Sequence, residues 1–184
     1  MSVWERKLDV MKRYDATARI YDLQYGQEQR MKMEFILKNL DLSQYALVLD
    51  VGCGTGLLFE YLRGKVKLIV GVDISKNILL EAKRKLQGGC EVVLVQADAD
   101  YLPFPDGIFD VVFAVTLLQN MPSPTATLRE MFRVANSQAI ILVTGLKKSF
   151  KLEEFRRLLE SFSLKKIFDA KGLKDYIAFL HVKT

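Results

Sequence analysis

The chain has 184 residues, half of them apolar and 27% charged, which is enough for one soluble domain with a full hydrophobic core. Its apolar stretches, such as Val111 to Leu118, are far shorter than the roughly 18 residues of a membrane span, and the charged segment Glu5 to Lys7 does not resemble an export signal. The net charge of +5 is moderately basic, but Lys83-Arg84-Lys85, Lys147-Lys148, Arg156-Arg157 and Lys165-Lys166 sit among apolar residues, as solvated faces do, and not in a phosphate-binding run interleaved with aromatics.

The first 40 residues read as helical, with Tyr14, Tyr21 and Tyr25 and an apolar stripe through Met31, Phe35, Ile36 and Leu40. Gly26 is expected to divide them into two helices. They form either a flank packed on the rest or a lid over a binding site, and Tyr25 is counted among the ligand-facing candidates. From Tyr45 the pattern changes. Tyr45 to Leu49 is a short apolar strand, and Leu-Asp-Val-Gly-Cys-Gly-Thr-Gly at 49 to 56 ends it in a glycine turn before a helix at Leu57 to Leu62. Glycines there let the backbone turn sharply and approach a ligand, while the helix N-terminus offers free N–H groups.

Lys67 to Val72 reads as a second strand ending in Asp73. Ser75 caps a helix with the stripe Ile78, Leu79, Ala82 and Leu86, closed by Gly88-Gly89. A third strand follows at Glu91 to Ala97, an irregular stretch at Pro103 to Gly107, and a buried fourth strand at Phe109 to Thr116. A helix from about Thr125 to Val134, a strand at Gln138 to Thr144 and a helix at Leu152 to Ser161 come next. Leu164 to Phe168 and Tyr176 to Val182 close the chain as an antiparallel hairpin. The alternation predicts a single α/β domain over residues 1–184, with a doubly wound, mostly parallel seven-stranded sheet over 45–184 and N-terminal helices over 1–40.

The glycine turn narrows the ligand. A dinucleotide fingerprint, Gly-x-Gly-x-x-Gly, would place its third glycine at position 57, where Leu57 stands, and a Walker-type Gly-Lys-Ser/Thr ending is absent. Instead the chain resembles the class I S-adenosylmethionine-dependent methyltransferases, in the branch known as methyltransferase type 11. Four motifs in order carry the resemblance: residues 49 to 56; Val-Asp-Ile-Ser at 72 to 75; Gln-Ala-Asp-Ala at 96 to 99 with Leu-Pro-Phe at 102 to 104; and Phe-Asp-Val-Val at 109 to 112 through Gln119-Asn120. It covers the chain from roughly Tyr45 onward and implies a Rossmann-like fold.

The resemblance implies that Gly52, Cys53, Gly54 and Gly56 bring backbone against the methionyl part of S-adenosylmethionine, with the Cys53 thiol serving packing. Asp50 would bind the cofactor's ammonium, directly or through water. Asp73 would take the ribose hydroxyls, Ile74 the adenine face, Asp98 its exocyclic amine and the Ala99 N–H a ring nitrogen. Thr116 and Leu117 would border the transferred methyl. Metal-ligand spacing is absent. His181, the single histidine, lies in an apolar strand and reads as structural, so no catalytic base is named.

The substrate is less legible. Gln119-Asn120 stands where many small-molecule members carry histidines, and the Asn-Pro-Pro-Tyr signature of amino-methyltransferases is missing. Arg-Val-Ala-Asn-Ser-Gln at 133 to 138 replaces the family's Lys-Pro-Gly-Gly turn. Three expectations follow: a small-molecule methyltransferase, an RNA- or protein-modifying enzyme working with a partner subunit, or a non-catalytic cofactor-binding subunit. Two cysteines, Cys53 and Cys90, make no disulfide framework, and a cytoplasmic, membrane-free protein is expected.

Overall fold

The structure is a computed structural model that describes residues 2–42, 47–86 and 91–182. The first residues of the expected opening strand, Tyr45 and Ala46, the expected helix stop Gly88-Gly89, and Cys90 lie outside the described residues. Seven strands form one sheet: β1 (Leu47–Val51), β2 (Leu68–Asp73), β3 (Glu91–Gln96), β4 (Phe109–Ala114), β5 (Ala135–Leu146), β6 (Leu164–Phe168) and β7 (Asp175–His181). Their spatial order is β3-β2-β1-β4-β5-β7-β6, with β7 antiparallel to both neighbours and the rest parallel.

The central strands are buried because both faces are covered, so their sequences are apolar without alternation. Alternate residues feed two separate cores. Val48, Ile69, Val111 and Leu142 pack under α2 (Tyr21–Lys38), α3 (Leu57–Leu62) and α4 (Lys76–Lys85). Leu49, Val70, Val112 and Ile141 pack under α5 (Pro124–Val134) and α6 (Leu152–Glu160). β3, at the sheet edge, shows a half-exposed alternating pattern. The order reverses between β1 and β4, and the crevice at the carboxyl ends of those strands is where ligands bind in such sheets.

The N-terminal segment departs from the expectation drawn from Gly26. That glycine lies inside α2, and the break falls earlier, at a short 3-10 turn over Ala18–Ile20 that joins α1 (Val3–Thr17) to α2. Nothing but the Asp22 Cβ at 3.9 Å lies near the Gly26 α-hydrogen position, so its missing side chain costs the helix propensity without interrupting it. β5 begins at Ala135, earlier than Gln138, because Ala135 pairs with Phe109 before a register shift.

Candidate cofactor site

The turn after β1 is built by three glycines in left-handed conformation, with φ of 73° at Gly52, 56° at Gly54 and 78° at Gly56. They do different work. A Cβ on Gly54 would meet nothing within 4 Å, so this glycine leaves room over the crevice, whereas one on Gly56 would stand 2.6 Å from the Phe59 ring. Gly56 is therefore the tight junction with α3 and does not line the crevice. The turn is tied down where the Gly52 and Cys53 N–H groups donate to the Val72 carbonyl.

Two adjoining cavities, sharing Tyr21, Gly52, Gly54 and Val115 in their walls, lie over the carboxyl ends of the strands. The larger, about 720 Å3 measured out to its mouth, is bounded by Gly52, Gly54, Asp73 and Ile74 on one side. Asp98, Ala99, Thr116 and Leu117 bound the other. The smaller, about 390 Å3, takes in Asp50 and Cys53. Ten of the twelve candidates thus line this hollow formed by the two adjoining cavities. Tyr25 is not on it: its ring packs on Tyr21 with centroids 5.1 Å apart, and it is 46% exposed.

Three carboxylates on neighbouring strands face this hollow in different states. Asp50 is buried and its carboxyl accepts no hydrogen bond from any described residue; burial and then the Asp73 charge push its pKa up to about 8. A buried carboxyl without a donor is stabilised as the ion by a cationic or donor-bearing partner and otherwise favours its neutral form. Asp73 at the end of β2 is already oriented, with its oxygens accepting from the N–H groups of Gly54 (3.1 Å) and Ser75 (2.9 Å). Burial raises its pKa, and the Ser75, Gly54 and Ile74 N–H groups oppose that rise. Each oxygen keeps a lone pair for further donors.

Asp98 is shared. Both its oxygens accept from the Lys7 ammonium at 2.7 Å, and Lys7 also reaches Asp100 Oδ2 at 2.5 Å. Burial lowers the Lys7 pKa, but the hydrogen bonds and charges of Asp100 and Asp98 outweigh it and leave the pKa raised. Lys7 is one of several anchors that fasten α1 across the strand ends. The Tyr14 hydroxyl accepts from Asn120 Nδ2 at 3.0 Å, Arg13 donates to Asn120 Oδ1, and the Ser75 hydroxyl donates to Asp15. Lys7, Val10 and Tyr14 share one helical face and all line the larger cavity. Sequence reading missed Lys7, because a lysine on a helix is ordinarily solvated; the 7-10-14-21 spacing with two tyrosines was the available signal.

Thr116 closes the far side in an unusual state. It is β-branched yet has φ of 59°, a conformation that costs about 1–3 kcal/mol and persists only where neighbours fix it. Here they do. Its N–H donates to Thr144 Oγ1 (2.8 Å), its hydroxyl accepts from Lys32 Nζ (2.7 Å) and Gln29 Nε2 (3.1 Å), and its carbonyl accepts from Gln119 and Asn120. Lys32 is fully buried, and its ammonium stands 2.7 Å from the equally buried Asp175. Nothing local in the chain marks this pair, since its partners lie 143 positions apart on α2 and β7.

Histidine is absent from the hollow. His181 pairs with Ile140 while Asp175 pairs with Leu146, so His181 lies at the opposite end of the sheet from the strand carboxyl ends. No three His, Cys, Asp or Glu side chains among the described residues converge as metal ligands, and no described helix is long and apolar enough to cross a membrane.

A protein-family profile described as "Methyltransferase domain" matches residues 49–143. The demethylmenaquinone methyltransferase of Bacillus licheniformis is 30% identical over 177 residues, covering 91% of this chain and 74% of that protein. Other curated relatives are longer: the chain covers 55% of the malonyl-[acyl-carrier protein] O-methyltransferase of a Marinomonas species, at 29% identity and with 80% of this chain matched. Among solved structures, magnesium protoporphyrin IX methyltransferase of Synechocystis with bound S-adenosylmethionine superposes with a TM-score of 0.74 at 22% identity, covering 95% of each chain.

Proposed function

Because the chain belongs to the class I S-adenosylmethionine-dependent methyltransferases, we propose that it transfers the cofactor's methyl group to a small-molecule acceptor held under α1. The observation that carries the acceptor class is the roof: the Lys7–Asp98 and Asn120–Tyr14 links draw α1 over the larger cavity and leave it partly enclosed. The name of the Bacillus licheniformis relative points the same way, toward demethylmenaquinone as its acceptor.

In this reading Asp50 receives the cofactor's ammonium, which meets the need of its donorless carboxyl. Asp73 takes the ribose hydroxyls from its prefixed position, and Ile74 packs on the adenine. Asp98 accepts the adenine amine beside Lys7, with the Ala99 N–H directed to a ring nitrogen. When bound, the cofactor supplies a methyl group already activated on a positive sulfur. The chain's part is to hold an acceptor in line with that methyl and to exclude water, contributions that can remove about 7–11 kcal/mol of a barrier through proximity alone. Thr116 and Leu117 form the wall on this side. Gln119 and Asn120 already hold the Thr116 carbonyl, and as amides they orient an acceptor without taking its proton. Reduced Cys53, buried and free, suits the cytoplasm to which we assign the chain.

Incubation with methyl-labelled cofactor and fractionated cell extract tests the acceptor class. Label is expected in the low-molecular-weight organic fraction. Label in RNA or protein would contradict the proposal and favour a partner-dependent enzyme, the arrangement suggested by a Haloferax volcanii methyltransferase solved in complex with the Trm112 methyltransferase activator (TM-score 0.76, 16% identity, 93% of this chain and 98% of that one).

A further inference from the structure

Stability does not account for the buried Lys32–Asp175 pair, because a pair of this kind is often exchanged for apolar residues of similar volume without net loss. Its geometry shows where the ammonium is aimed. Lys32 Nζ stands 2.7 Å from Asp175 Oδ2 as a charge contact, yet among the described residues neither Asp175 oxygen accepts a directed hydrogen bond. The directed bond of Lys32 goes to the Thr116 hydroxyl, also at 2.7 Å. Gln29, one turn earlier on the same face of α2, donates to that hydroxyl as well. Asp175 thus supplies the counter-charge, and Thr116 receives the hydrogen bond.

Thr116 lies just beyond β4, where the strand becomes the wall of the site. Val115, Thr116 and Leu117 all line the larger cavity, while Leu118 returns to the core. The left-handed turn at Thr116, with φ of 59°, sets this course, and a β-branched residue holds it only under constraint. Leu117 in turn fills the space that Gly52 leaves open: a Cβ on Gly52 would stand 2.9 Å from Leu117 Cδ1. A shift of Thr116 therefore moves Leu117 against the glycine turn. Resting on the proposed methyl-transfer reading, we infer that Lys32 is a positioning residue: its ammonium, balanced by Asp175, holds the Thr116 hydroxyl and thereby fixes the Thr116–Leu117 wall where the methyl group meets its acceptor. A misplacement of about 1 Å at such a wall costs about a hundredfold in rate. Cofactor affinity is spared, because in this reading the carboxylates at the strand ends supply it.

Lys32→Met combined with Asp175→Leu removes the pair, and kinetics on this double variant separate positioning from stability once circular dichroism confirms its fold. The rate of label transfer would be measured against the concentration of methyl-labelled S-adenosylmethionine, with the extract fraction that takes the label as acceptor. The double variant is expected to lose about a hundredfold in kcat. Its KM and its calorimetric dissociation constant for S-adenosylmethionine should change less than about threefold, well under one order of magnitude in binding. In the ligand-free protein the Thr116 methyl resonance, sharp in the unmodified chain, should broaden in the double variant. Thr116→Val removes only the hydroxyl that Lys32 holds and should lower kcat comparably. Added to the double variant it should cost less than about a further twofold, because both changes cut the same contact. Unchanged kcat in the folded double variant, a loss carried by KM alone, or multiplicative losses in the triple variant would overturn the inference. If the double variant does not fold, unchanged kcat in Thr116→Val overturns it by itself. Failure of the unmodified chain to bind S-adenosylmethionine, or to label any fraction, is a separate outcome that refutes the reading beneath it.

Discussion

Asp50 places a carboxyl in the interior with no donor from the described chain and a pKa raised from 3.8 to about 8. Between those values the folded protein holds a proton that the unfolded chain has released. Stability conferred by that proton is present at low pH and is lost as pH rises through 8. Asp50→Asn has no proton to lose. The ligand-free variant is therefore expected to melt above the unmodified protein by at least about 2 °C at pH 8, the equivalent of about 1 kcal/mol in a domain of this size, with the gap narrowing toward pH 4. A saturating concentration of S-adenosylmethionine should reverse the order, because the ammonium stabilises only the ionised acid. Differential scanning calorimetry across this range, with and without cofactor, checks both parts; a gap independent of pH would show that Asp50 is not held neutral in the fold. Gly54 and Gly56 show that identical residues in one motif have separate purposes, one leaving ligand space and one avoiding the Phe59 ring.

At the scale of elements, α2 is locked to the sheet by a buried charge pair where an apolar contact would have sufficed. Removing one member of such a pair strands the other and costs about 3–5 kcal/mol, while replacing both with apolar residues is often neutral or stabilising. Lys32→Met is therefore expected to lower unfolding free energy by about that amount, measured by urea denaturation, and Lys32→Met with Asp175→Leu to recover most of it. Additive losses in the double variant would show that the pair is not coupled. Thr116 hangs on the Lys32 ammonium, so the double variant should still loosen the Thr116 turn, visible as faster exchange of the Thr116 amide. The strands and helices from Leu47 onward were legible, because burial on both faces writes continuous apolar runs and glycine and proline mark the breaks. The break between α1 and α2 was not, because Ala18, Arg19 and Ile20 carry no punctuation and Gly26 does. The break follows from anchors on both sides of it: Asp15 to Ser75 and Asn77, and Asp22 to Thr55.

For the molecule as a whole, the site is the meeting of two parts with different legibility. The sheet half, from Asp50 to Leu117, is local: each candidate residue sits at or near a strand end inside a short motif, so spacing in sequence reports position in space. The roof half is long-range, joining Lys7 to Asp98 and Lys32 to Asp175, and its residue types have ordinary solvated lives elsewhere. The sheet half names the methyl donor, and in the proposed reading the roof half shapes the chamber for the acceptor. The central claim is that the hollow binds S-adenosylmethionine through Asp73, and isothermal titration calorimetry tests it most directly. Saturable binding of S-adenosylmethionine is expected, with no heat from NAD and with the signal abolished in a folded Asp73→Ala variant. Binding of NAD in its place, or undiminished S-adenosylmethionine binding by Asp73→Ala, would contradict it.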